Sequence, residues 1–218
     1  MITLVSPHTA WSGLAAVAVG AAGEVVTYLG GEASEGLLVT DSLYFRFVPF
    51  VAVLLIGRAA ATFRGALQCA AVVPAGLIAG AFAVAPLRGD DLLLREYPFG
   101  DVQPLLWAFA FYAAAVLLAY LTRRDGIGGD LSLALLAQGQ TMPAVLALSW
   151  PDTFVRVEWG HPGQDWGGLA LAVVLAVVLR PSAVTRARTL AAMLMITAAG
   201  YAAVSSLGWW WSVAAGVA

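Results

Sequence analysis

The sequence predicts an all-α fold, a polytopic integral-membrane bundle of seven transmembrane helices in a single domain over residues 1–218. Three observations carry this prediction. Hydrophobic residues make up 61% of the chain and charged residues 11%, against about 45–50% and about 25% in a soluble domain. Apolar runs near the roughly 20 residues needed to cross the hydrocarbon layer recur seven times. The charges between those runs segregate by sign from one connection to the next.

The segments follow in order. The first covers 7–30, with Ser6 as N-cap and Pro7 at the first helical position, where a missing N–H costs nothing. It is not a signal peptide, because no basic stretch precedes it. The second covers 43–63, the third 66–87, and the fourth 102–121 behind Asp101. The fifth covers 131–150, capped by Asp130 and stopped before Pro151. The sixth, 163–179, has an uncharged run of only 14 residues and spans if 162–165 starts the helix at the interface. The seventh covers 184–208 and leads into Trp209, Trp210 and Trp211. A three-plus-one-plus-three helix duplication is possible by counting, but no residue pattern supports it. Gly76 and Gly80, four apart in the third segment, permit close helix contact.

Arginine placement sets the orientation. With seven spans, Arg58, Arg64, Arg123, Arg124, Arg180, Arg186 and Arg188 share one side with Asp125 and Asp130, a net +5. The other side holds four arginines against ten acids, a net −6. The arginine side is therefore cytoplasmic, which puts the N-terminus inside, the C-terminus outside, and the chain in a cell membrane of bacterial cytoplasmic type. Seven of the eight tryptophans map to the outer half. They read either as an aromatic belt or as the walls of an outer cavity.

The composition excludes much chemistry. All 11 basic residues are arginine, so there is no lysine for a Schiff base or for an ATP phosphate loop. One cysteine, Cys69, allows no disulfide or CxxC pair, and it reads as a small buried hydrophobe. His8 and His161 stand too far apart in sequence for a histidine-rich metal centre. No cofactor or metal is expected, and a net charge of −2 predicts no nucleic-acid partner. The expected partners are the lipid bilayer, a lipophilic small molecule and a second copy in a homo-oligomer.

Glu24 is the sharpest candidate. It lies in an otherwise uncharged run about six residues, or roughly 9 Å, from the outer end of its helix. Desolvation favours the neutral acid there, and a buried neutral carboxyl can act as a general acid. Tyr28 follows one turn later on the same face. Arg46, one turn inside the second helix, either pairs with Glu24 and ionises it or turns outward to Asp41 and leaves it protonated. On the fifth helix Gln138, Thr141, Ser149 and Asp152 fall on one face at 100° per residue, while Gln140 points elsewhere. On the seventh, Thr197, Tyr201 and Ser205 repeat every four residues. Both stripes fit a cavity wall or interhelical hydrogen bonding. Trp107, Phe111 and Trp150 supply aromatic surface in the outer half. Asp90, Asp91 and Glu96, and the loop of Asp152, Arg156, Glu158, His161 and Asp165, read as solvated charge.

Three function classes remain. In the first, an enzyme uses Glu24 to protonate an alkene or epoxide, aromatic faces stabilise the cation, and a second acid or Tyr201 takes the terminal proton. The length, the seven helices and the Glu24–Tyr28 pair resemble the small integral-membrane terpene cyclases of fungal meroterpenoid and bacterial indole-terpenoid pathways. The resemblance implies a farnesyl-bearing substrate, no metal, Glu24 as acid, and Asp152 or Asp165 as the second acid. The second class is a small transporter or transporter subunit with a polar site in the outer half. The third is a non-catalytic sensor, immunity factor or assembly subunit.

Overall fold

The computed structural model describes residues 7–31, 35–84, 103–149 and 162–214, and these form seven α-helices and no strand. They are α1 (Pro7–Gly31), α2 (Glu35–Ala59), α3 (Phe63–Val84), α4 (Gln103–Leu121), α5 (Ile127–Ser149), α6 (Pro162–Leu179) and α7 (Ala183–Ala214). Among the described residues, two helical stretches are long and apolar enough to cross a membrane, Phe63–Val84 and Ala183–Ser206. Shorter apolar helical stretches lie at Phe47–Ala59, Ala108–Leu121 and Trp166–Leu179.

Most boundaries fall near the apolar runs; α2 ends at Ala59, four residues before the end of its run, and the helices that overrun theirs share one cause. Hydropathy marks where the chain turns polar, whereas a helix continues while its N–H to C=O ladder can propagate. Thus α2 begins at Glu35, eight residues before the apolar run, and passes through Asp41. Likewise α5 begins at Ile127 rather than after Asp130, and α7 continues through the three tryptophans. Proline stands at the first position of α1 and α6, where it is tolerated. Pro49 and Pro74 lie inside α2 and α3.

The chain divides into two compact units, Met1–Arg123 and Arg124–Ala218. In the first, α1 packs most extensively on α3 and also along α2, whereas α2 and α3 touch little. Helices α1 and α3 run parallel at very short range. A Cβ on Gly20 would lie 2.1 Å from the Leu77 carbonyl oxygen, and one on Gly80 would lie 2.1 Å from that of Val17. Gly76, four residues before Gly80, likewise faces Ala16 and the Gly13 carbonyl. The small-residue spacing thus seats α3 on α1, with buried Ala16 against Gly76. Near the start of the pair the Thr9 hydroxyl donates to Gln68 Oε1 at 3.3 Å. Cys69 is buried beside the Ser12 hydroxyl, its thiol donating at 3.8 Å. Helix α4 packs on α2 and α3, and its C-terminal end is tied to α2 by Arg58 Nη1 donating to the Thr122 hydroxyl at 2.7 Å.

In the second unit the same order of packing recurs. Helix α5 packs along α7 most extensively and along α6 next, and α6 and α7 touch little. Helices α5 and α7 also run parallel, because Asp130 meets Thr189 near their starts and Thr141 meets Thr197 further along. The seam is held differently. Where α1 and α3 use glycine, α5 and α7 use buried polar side chains around Leu133, Ala134 and Ala137.

Candidate functional site

The expected outer site is only partly within the described structure. Glu24 and Tyr28 lie on α1, Arg46 on α2 and Trp107 on α4, but their side chains fall outside the described residues. Trp150 and Asp152 fall outside altogether, as do Asp90, Asp91, Glu96, Arg156, Glu158 and His161. Close to Glu24, the neighbouring Gly23 is buried. Tyr44, which the sequence reading did not single out, donates its hydroxyl to the Val19 carbonyl at 2.8 Å. That bond ties α2 to α1 five residues before Glu24. A tyrosine two residues from Arg46 was the available signal. Phe111 is exposed and stands edge-on to Tyr112, with ring centroids 5.5 Å apart.

The two polar stripes meet. The Thr141 and Thr197 hydroxyls lie 3.0 Å apart, both buried, so α5 and α7 share a hydrogen bond inside the second unit. Gln138 is half-buried and its carbonyl accepts from the Thr141 hydroxyl at 3.3 Å. Tyr201, one turn beyond Thr197, is half-buried. Gln140, off the stripe, is more deeply buried than Gln138 and so belongs to the interior. A hydroxyl pair of this kind can hold a helix pair together or, if it opens, offer donors and acceptors to a solute.

A second cluster was not foreseen, and it corrects the reading of Asp130 as a cap. The chain enters α5 through Gly126, whose φ of 92° suits glycine alone. The helix then starts three residues before Asp130, which turns inward and is 1% exposed. Its carboxylate forms an ion pair with Arg180, whose Nε lies 2.9 Å away, and accepts hydrogen bonds from Arg188 Nε and from the Thr189 hydroxyl at 3.1 Å. Arg180 is itself 3% exposed. It also donates from Nη1 to the Arg124 carbonyl at 3.4 Å, and its own carbonyl accepts from Arg186 Nε at 2.9 Å. Gly129 makes this possible, since a Cβ there would stand 1.9 Å from the Arg124 carbonyl oxygen and 3.2 Å from Arg180 Nη2. Ser182 caps α7, its hydroxyl accepting from the Thr185 N–H at 3.2 Å.

In sequence, Asp130 and these arginines are loop charges counted for orientation. Only the pairing of α5 with α7 and the turn before α7 bring together residues 50–58 positions apart, so no local spacing announces the cluster. Burial makes it consequential, because a carboxylate taken out of water needs partners that satisfy both oxygens. Among the described residues no group of three His, Cys, Asp or Glu side chains could hold a metal ion. Comparison with known protein families, curated proteins and solved structures gives no match.

Proposed function

We propose that the chain is a seven-span membrane protein that moves a small solute or proton, as a transporter or transporter subunit. Support for the membrane placement comes from the surface. Each of the seven helices exposes large apolar side chains, among them Trp11, Leu55, Leu67, Leu106, Leu135, Val178 and Leu194. Apolar exposure on every helix exceeds what a soluble monomer sustains, and lipid would cover it.

The observation that carries the transport reading is the recurrence of one packing pattern. Two helix triplets, α1–α3 and α5–α7, each centre on their first helix, run it parallel to the third, and keep the second and third apart. Tandem repeats of this kind are a common way to build transporters.

The test uses the single native cysteine, which is buried and replaceable. In a Cys69→Ala background, Gln138→Cys is exposed to a membrane-impermeant thiol reagent from either face of oriented vesicles. A transport path gives labelling from both faces. Labelling from the outer face alone would replace transport with a closed outer cavity of the cyclase kind. No labelling from either face would leave a structural protein.

A further inference from the structure

We propose that the arginine cluster at the α6–α7 turn of the second unit binds a phosphate oxyanion, that of an anionic lipid headgroup. The proposal rests on the membrane placement above but not on transport. The two segments that build this end, 124–130 and 180–188, carry Arg124, Arg180, Arg186 and Arg188 against Asp125 and Asp130, a net +2. Asp130 cannot answer the excess, because it is buried and already ion-paired with two guanidinium groups and bonded to a hydroxyl.

The arrangement is built rather than incidental. Arg188 gives Nε to Asp130 yet is 39% exposed, so a fork anchored at its root reaches the surface. Arg186 is held in the same way by the Arg180 carbonyl. Side chains fixed by a buried acceptor have lost their rotamer freedom before any ligand arrives, which lowers the entropic cost of binding. Guanidinium forks match phosphate oxygens in pairs. The neighbours say where the phosphate comes from. Ile127, Val178 and Val184, from all three helices of this end, are strongly exposed and apolar. A phosphate attached to acyl chains satisfies the arginines and covers these side chains together, and a free ion covers nothing. Basic pockets between helices at the cytoplasmic surface suit such headgroups.

Native mass spectrometry of the full chain in maltoside micelles tests this, with added phosphatidylglycerol, phosphatidylcholine or inorganic phosphate. Phosphatidylglycerol is expected to give one retained adduct at concentrations where phosphatidylcholine gives none. Arg188→Gln should weaken that adduct about tenfold, the effect of one lost charge-assisted hydrogen bond. Arg186→Gln leaves the Asp130 pairs intact, guards against misfolding, and should weaken the adduct as well. Retention of inorganic phosphate alone would keep the oxyanion site and overturn the lipid source. Equal retention of both lipids, or retention unchanged in both variants, would overturn the site. Loss of transport-type labelling at position 138 would leave this result untouched, so the two readings fail separately.

Discussion

The two helix triplets share a packing order and differ in what holds their central seam. In the first, α1 meets α3 at Gly20, Gly76 and Gly80, where backbone carbonyls lie in place of side chains, and at Gly13, which leaves room for the Val72 side chain. In the second, α5 meets α7 through Asp130, Thr141, Thr189, Thr197 and two arginines. Between helices in lipid, apolar side chains gain little by leaving their surroundings, so close packing and polar contacts are the two sources of association. One seam uses each. The consequence is a different mode of failure. A glycine seam fails when volume is added, and a polar seam fails when a partner is removed.

The largest effect should come from the polar seam. Asp130→Asn keeps the shape but removes the charge that Arg180 and Arg188 share. Breaking a buried pair strands the other charge and typically costs about 3–5 kcal/mol. A thermal melt in maltoside micelles should show a large drop, and replacing Arg188 by glutamine in the same chain should recover part of it. Equal melting of Asp130→Asn and the unmodified protein would mean that the cluster does not hold the seam.

Next comes the glycine seam. Gly80→Ala places a Cβ 2.1 Å from the Val17 carbonyl oxygen, a backbone atom that cannot rotate away. The helices must separate along a contact more than ten residues long, and overpacking of this kind costs about 1–3 kcal/mol. The control is Gly128→Ala, where a Cβ meets nothing within 4 Å, and its melt should match that of the unmodified protein.

How legible each seam was follows from its chemistry. Gly76 and Gly80 announce a contact from sequence, because small residues four apart in an apolar helix have few other uses. The helices themselves were legible for the same reason, as runs of apolar residues. The Asp130 cluster was not, because its partners lie on a different helix and on the turn before it, and a charge near a helix end looks alike whether it faces water or turns inward. The recurrence of the triplet was hidden for a related reason. Counting allowed it, but residues as unlike as glycine and aspartate do equivalent work at the two seams, so no motif repeats. The two polar stripes were visible as periodic hydroxyls and amides, and their meeting at Thr141 and Thr197 needed the parallel pairing of α5 and α7.

That meeting gives the smallest and most diagnostic effect. Thr141→Val and Thr197→Val each remove one hydroxyl of a buried pair 3.0 Å apart and keep the branched shape. A single change leaves the other hydroxyl without this partner, while the double change removes both polar groups, so the two losses should not add. Interhelical hydrogen bonds in membrane proteins average about 0.6 kcal/mol in such cycles, and a coupling of that size is expected in micelle melts. If the pair is only a structural clasp, the double variant should leave labelling of Gln138→Cys unchanged. If the hydroxyls part to admit a solute, the loss of both should alter that labelling from at least one face while stability changes little.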